Sequence, residues 1–256
     1  MGHNVWLLGA DVTRSLSPAM QNAAFAATGI EAHYRPRSLS TDALADAMAE
    51  MRQRQDILGA NVTIPHKEAV IPLLDQLDPL ARRLRAVNTI SRRDGELVGF
   101  NTDVTGFSRA LVECGYAVDG QSIVILGAGG AARAVAEALR GRPAELTILA
   151  RDPDRARRLV DDLGLEHATV STLDQLANAI GAAAMVVNAT PADLLPPGWQ
   201  PRPDQRVFDL RSRRSAEGRS MLLHQGATSF EIWTGRAAPV QAMRQALAEA
   251  IEAVPA

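Results

Sequence analysis

Short apolar runs alternate along the chain with longer segments in which apolar residues recur every three or four positions. A short apolar run bounded by turn formers reads as a buried strand, and a 3.6-residue period reads as a helix that buries one face. On that basis residues 5–8 predict a strand, 18–28 a helix, 33–39 a strand and 41–54 a helix. Ser17, placed before Pro18, and Thr41 are the residue types of helix N-caps, and proline suits a first helical turn. Residues 58–64 form a third strand-like run, leading through Pro65-His66-Lys67 into a helical face of Ala69, Leu73 and Leu74. A lysine therefore falls at a strand-to-helix junction. Residues 88–92 and 96–100 flank Asp94-Gly95, a hairpin signal because both turn residues tolerate positive φ.

After a helix over 104–114, strand-like runs at 122–126, 146–149, 167–170, 185–188 and 207–210 are separated by helical segments. Repeated units of this kind predict an α/β fold with a doubly wound parallel sheet, preceded by a separate N-terminal α/β region. Val240, Met243, Leu247 and Ile251 make the stripe of a closing amphipathic helix, expected to pack back on the first domain. Pro196-Pro197-Gly198 reads as a surface turn.

Composition narrows the partners more than the fold. With 256 residues the chain can hold a full core or two modest domains, and 46% apolar with 22% charged residues is an ordinary globular balance. A formal net charge of -2 provides no broad cationic field, so neither nucleic acid nor an anionic membrane surface is an expected partner. No run approaches the roughly 18 apolar residues of a membrane span, and the N-terminus lacks the charged and apolar regions of an export signal. The single Cys114 can form no internal disulfide and has no metal-ligand spacing, which suits a reducing cytoplasm and a site without metal. Within Leu111-Val112-Cys114 it reads as buried packing. Oligomeric state is not legible.

The strand-like run 123–126 leads into Gly127-Ala128-Gly129-Gly130-Ala131-Ala132 and then a helix through Ala134, Val135, Ala138 and Leu139. This is the G-x-G-x-x-A dinucleotide pattern in its strand-turn-helix setting. Gly127 allows the tight turn, Gly129 lets a pyrophosphate approach the backbone, and Ala132 lets the helix pack closely while its N-terminus faces the anion. The next strand ends in Ala150-Arg151, where an NAD-binding chain would place Asp or Glu for the ribose 2′-hydroxyl. Arg151, with Arg155 one turn on, suits a 2′-phosphate instead, so NADP is the expected cofactor and NAD the alternative. Asp152 and Asp154 weigh against that preference.

Three further clusters stand out: Ser15-Leu16-Ser17-Pro18, the stretch from Gly59 to Lys67 containing Asn61-Val62-Thr63, and Ala86-Val87-Asn88-Thr89 followed by Asn101-Thr102-Asp103. Together with the glycine loop, Asn188-Ala189-Thr190-Pro191, the segment from Met221 to Gln225 and Phe230-Glu231-Ile232-Trp233-Thr234-Gly235, the chain resembles the shikimate dehydrogenase family over nearly its whole length. The resemblance implies a substrate domain over 1–103 and 233–256, an NADP-binding Rossmann domain over 104–232, and a cleft where they meet. It also implies hydride transfer between NADP(H) and a cyclic hydroxy acid, shikimate/3-dehydroshikimate, on the chorismate route to aromatic amino acids. A dehydrogenase for quinate, aminoshikimate or another specialised acid is the alternative, as is a non-catalytic dinucleotide or metabolite sensor.

The residue types suit that chemistry. A ketone reduced by hydride needs a proton for the forming alkoxide, and the reverse reaction needs one removed. By resemblance Lys67 is the acid/base, and Asp103 bonds the reacting hydroxyl and tunes the lysine. Ser15 and Ser17 offer hydroxyls near a helix N-terminus for a carboxylate, and Thr63, Asn88 and Gln225 offer neutral groups for ring hydroxyls. Gly127, Ala128, Gly129, Gly130, Ala131 and Thr190 would face the dinucleotide, with Met221, at a helix start, packing on the nicotinamide. Asn61 reads as support for its loop and His66 as packing.

One segment departs from the family. Members follow the strand after Asn-Ala-Thr with Asp, two residues and a Tyr that helps hold the carboxylate, then an extra helix. Here Asp209 precedes Leu210-Arg211-Ser212, and Met221 arrives almost at once. Arg211, Arg213, Arg214 and Arg219 read as a solvated charged loop.

Overall fold

The computed structural model describes residues 2–253. Its contacts divide into one unit made of the chain through Thr102 and again from Leu222, and a second unit of Asp103–Met221. The division falls within a helix at Leu222, upstream of the expected return at 233.

The first unit begins with β1 (His3–Gly9), α1 (Ser17–Thr28), β2 (Ala32–Ser38), α2 (Leu44–Gln53), β3 (Ile57–Val62) and the single turn α3 (His66–Ala69). It continues with β4 (Gln76–Leu77), α4 (Pro79–Leu84), β5 (Thr89–Arg93) and β6 (Glu96–Phe100). The strands form one mixed sheet in the order β2-β1-β3-β5-β6-β4. β1 shows why its sequence reads as an unbroken apolar run. Successive side chains point to opposite faces of a strand, and both faces of this one are covered. Val5 and Leu7 join Met20 and Phe25 of α1 in one core, while Trp6 and Leu8 join Leu44, Met48 and Met51 of α2 in another.

The sheet leaves little room at β3. A Cβ on Gly59 would stand 2.1 Å from the Ile90 carbonyl oxygen, the same oxygen that accepts the Trp233 indole N–H at 2.9 Å. The expected β5–β6 hairpin forms, with Asp94 at φ 52 and Gly95 at φ 90.

In the second unit α5 (Asp103–Glu113), β7 (Ser122–Leu126), α6 (Gly130–Ala138), β8 (Glu145–Leu149) and α7 (Pro153–Leu163) are followed by β9 (Ala168–Ser171), α8 (Leu176–Ala182), β10 (Met185–Asn188) and β11 (Arg206–Asp209). Its five strands run in the order β11-β10-β7-β8-β9, all parallel, as the alternation predicted. Helix α9 (Ala216–Thr234) carries the chain back into the first unit and α10 (Val240–Glu252) closes it. Met243 and Leu247 of α10 are buried in the core shared with α1, where the stripe placed them. No helix of the described residues is long and apolar enough to cross a membrane.

Several local expectations are corrected. Ser17 is the first residue of α1 and not its cap; the cap position is Leu16, without a side-chain bond. Thr41 does not cap α2, which follows Ala43; its carbonyl accepts the Leu44 N–H instead. Cys114 is only half-buried and its neighbour Val112 is 82% exposed, because α5 turns that end toward water. Met221 lies in the second turn of α9, since the helix begins at Ala216. Pro196-Pro197-Gly198 is a turn, with Gly198 at φ 76.

Candidate functional site

In the first unit the polar residues singled out on β3, β5 and α9 meet in a buried lattice. Asn61 donates through Nδ2 to the Asn88 carbonyl at 3.0 Å, to Thr89 Oγ1 at 3.0 Å and to Ser229 Oγ at 3.1 Å. Its Oδ1 accepts from the Tyr34 hydroxyl at 2.8 Å, which fixes the amide orientation. The Asn88 side-chain oxygen accepts from the Thr102 N–H at 2.8 Å, and its Nδ2 reaches Gln225 Oε1 at 3.4 Å. Thr102 Oγ1 stands 3.4 Å from the same Gln225 oxygen. Thr89 and Ser229 are fully buried and Asn88 is 3% exposed, so these groups keep their partners without competing water.

Ser15 and Ser17 sit where the chain enters α1. The Ser17 N–H donates to Ser15 Oγ at 3.2 Å, and the Ser17 side chain hydrogen-bonds Tyr34. Burial pushes the Tyr34 hydroxyl well above its usual range, so it stays a protonated donor to Asn61. Thr63 follows β3, its N–H held by the Leu8 carbonyl at 2.8 Å and its own carbonyl accepting the His66 N–H at 2.9 Å. His66 is fully buried, with Nε2 at 3.0 Å from the Leu39 carbonyl oxygen, and serves packing as expected. Lys67, next along α3, is half-buried, and its carbonyl accepts the Val87 N–H at 2.8 Å, tying it to the segment that carries Asn88 into β5.

In the second unit β7 ends at Leu126 and Gly127 takes φ +111, a conformation that side chains resist. A Cβ there would also stand 2.7 Å from Thr190 Cγ2, so the turn requires glycine twice over. Gly129 is the cap residue of α6, and a Cβ on it would meet nothing within 4 Å. The backbone is thus bare and open where the helix N–H groups begin, as an anion cradle needs. Ala132 is fully buried, and Arg133 beside it pairs with Asp162 of α7 at 2.6 Å, which holds α6 in place. Gly130 and Ala131 are half-exposed at the start of that helix, and Ala128 is buried before it.

Arg151 and Arg155 are exposed after β8. The neighbouring acids are already engaged: Asp152 caps α7 by accepting the Arg155 N–H at 3.0 Å, and Asp154 pairs with Arg157. Asp103 opens α5 and is 5% exposed. Met221 is buried. Among the described residues no group of three or more His, Cys, Asp and Glu could hold a metal ion.

Of the arginines after β11, Arg211 departs from the solvated loop the sequence suggests, while Arg214 is exposed as expected. Arg211 is mostly buried and forks onto Asp209, with Nε 2.9 Å from both carboxylate oxygens. Sequence reading also missed Tyr34 and Ser229. The alternation of Ala32 and Tyr34 on β2 was a usable signal for a buried tyrosine, while nothing local marks Ser229.

Three family models match the chain in order: the shikimate dehydrogenase substrate binding domain over residues 7–90, shikimate / quinate 5-dehydrogenase over 110–195, and the shikimate 5'-dehydrogenase C-terminal domain over 218–248. The shikimate dehydrogenase (NADP(+)) of Moorella thermoacetica is 44% identical, covering 97% of this chain and 94% of that protein. Its alignment spans 278 positions against the 256 residues here, so that protein carries residues without a counterpart in this chain. The stretch between the last two models, 196–217, contains Ser212, Arg211, Arg213 and Arg214. A shikimate 5-dehydrogenase from Thermus thermophilus, solved with NADP(H) and shikimate, superposes with a TM-score of 0.82 at 34% identity over 97% of this chain and 99% of that one. The quinate dehydrogenase of Corynebacterium glutamicum, solved with NAD, gives 0.80 at 28% identity over 97% and 99%.

Proposed function

The chain belongs to the shikimate dehydrogenase family, and from that premise we propose that it oxidises shikimate to 3-dehydroshikimate with NADP and runs the reverse reduction with NADPH. The full-length likeness to the Moorella enzyme carries this reading. When bound, the cofactor supplies or accepts the hydride. The chain's residues do the rest. Lys67 takes the proton from the reacting hydroxyl in oxidation and returns it in reduction, and Asp103 hydrogen-bonds that hydroxyl. Asn88 and Gln225, whose orientations the lattice fixes, and Thr63 meet the ring hydroxyls. Ser15 and Ser17 receive the carboxylate. The open backbone at Gly129 and the start of α6 hold the pyrophosphate, and Arg151 and Arg155 meet the 2′-phosphate. Because Asp152 and Asp154 have partners of their own, their charge opposes that phosphate less than sequence alone implies. A reducing cytoplasm belongs to this reading, supported by the single cysteine.

The test is NADPH appearance when purified protein is mixed with shikimate and NADP, with NAD and quinate run beside them. Shikimate with NADP should be the fastest pair. Tight NADP binding without turnover on any acid would favour the sensor reading, and no binding would sink both. The quinate arm answers the likeness to the Corynebacterium enzyme. By the family resemblance Ser212 takes the place of a carboxylate-binding tyrosine, and one lost hydrogen bond costs about 0.5–1.5 kcal/mol. The Michaelis constant for shikimate should therefore exceed that of a tyrosine-bearing relative by up to about tenfold, with turnover less affected. An equal constant would show that the gap is compensated.

A further inference from the structure

The connection from β11 to α9 is short and closely built. Ser215 Oγ accepts the Gly218 N–H at 2.8 Å and its hydroxyl bonds the Asp209 carbonyl, capping the helix against the strand end. A Cβ on Gly218 would stand 2.6 Å from that same carbonyl oxygen, so only glycine lets α9 start this close. Within the turn, Arg211 reaches past Asp209 to Asp193 Oδ1 at 3.4 Å, and Arg214 Nη1 meets Asp193 Oδ2 at 2.8 Å. Asp193 lies on the segment that follows β10. That segment is held from within as well: Asn188 Oδ1 accepts from the Thr190 N–H at 3.1 Å and hydroxyl at 2.8 Å, and Asn188 Nδ2 donates to Asp209 Oδ1 at 3.3 Å. Thr190 packs against Gly127, the first glycine of the dinucleotide loop.

We propose that Arg211 and Arg214 are positioning residues for the cofactor, gripping Asp193 so that the segment after β10 holds Thr190 against the dinucleotide loop. The proposal rests on the reading that this loop binds NADP. It is a device of the shortened connection, since both arginines lie in the stretch unmatched by the family models. The inner pair is shielded, with side-chain exposures of 16% for Arg211 and 12% for Asp209, whereas Arg214 and Asp193 are about as open as free surface groups at 60% and 62%. Salt therefore weakens the outer grip and leaves the inner fork nearly intact. The Arg214 hydrogen bond, aided by the Arg211 charge, holds the Asp193 carboxyl below its usual value, in keeping with a standing pair.

The experiment is NADPH titration by fluorescence at low and high salt, with the shikimate Michaelis constant at saturating NADP and thermal melting measured alongside. Asp193→Arg should raise the NADPH Kd about three- to tenfold at low salt and less at high salt, without moving the shikimate constant. The swap Asp193→Arg with Arg214→Asp should recover most of the loss, which a merely structural disturbance would not do. Arg211→Ala should raise the Kd by tenfold or more at either salt. Because that variant leaves Asp209 unpaired, the surface swap keeps the test sound if it folds poorly. Wild-type Kd in Asp193→Arg, or no recovery in the swap, overturns the proposal. A wild-type protein that binds no NADPH overturns the cofactor reading itself, a separate and visible failure.

Discussion

Asn61 and Arg151 mark two ways in which this chain prepares a recognition group. Asn61 is 6% exposed and bonded on every side, so that the lattice of the first unit fixes the orientations of Asn88 and Gln225. Arg151 stands in solvent after β8, and the open backbone at Gly129 has no side chain near it. Under the proposed reading, one unit keeps its specificity inside the fold, where each polar group is also a structural member. The other presents bare backbone at Gly129 and an exposed charge at Arg151, which the proposed cofactor would complete. Substitution in the lattice should therefore damage stability and function together, while substitution of the exposed Arg151 should damage binding alone.

The largest expected effect belongs to neither pattern. Lys67→Met should lower turnover by roughly a hundredfold to ten-thousandfold, the usual worth of a proton-transfer group, with little change in the NADPH Kd. Unchanged turnover would remove Lys67 from the reaction. Next comes Asn61→Ala, which removes two N–H donors shared among three buried acceptors and the acceptor of the Tyr34 hydroxyl. Each partner left unsatisfied costs about 1–3 kcal/mol, so a loss near 3 kcal/mol in urea unfolding should accompany a fall in kcat/KM. A normal denaturation midpoint with impaired catalysis would break the comparison, because the lattice would then be recognition without structure. Arg151→Ala should weaken NADP about tenfold or more, leave NAD binding alone and keep the melting temperature. Equal losses for both cofactors would deny it the 2′-phosphate.

The smallest effects appear at the extremes of pH and separate the units again. In the first, the Arg54 hydrogen bond holds the Asp56 carboxyl down to about 2. Its contribution is present above about pH 4 and is lost as pH falls through the folded value. In the second, burial and the Glu217 acceptor push the Tyr116 hydroxyl up to about 12. That contribution is complete below about pH 10 and is lost as pH rises through the folded value. Asp56→Asn should flatten the acid limb of a melting profile, and Tyr116→Phe the alkaline limb. Both changes should be slight, since Asp56 is at the surface and Tyr116 only half-buried.

How far the sequence could be read depended on how far apart the partners lie. The glycine loop, the Asp94-Gly95 hairpin and the parallel strands were legible because each is decided within a few residues by φ preference or apolar period. β4 was missed because two residues carry no period, and α4 because its signal is only Asp78 before Pro79, where the Asp78 side chain accepts the Ala81 N–H. Ser17 and Thr41 were misplaced as caps because capping depends on where the helix starts, and packing set those starts elsewhere.

The sequence by itself determined the order of elements and the dinucleotide loop, since residue type and local spacing suffice for these, while its resemblance to the family supplied Ser15, Thr63, Lys67, Asn88 and Gln225 as candidates. Only the tertiary structure decided what holds them. Asn61 bonds Ser229 across 168 positions of chain, and Asn88 bonds Gln225 across 137. Arg211 becomes the buried fork on Asp209 only because Gly218 lets α9 close on the end of β11. A hydrogen bond depends on distance and direction in space, and those exist for residues so far apart in sequence only after the sheets and helices have packed.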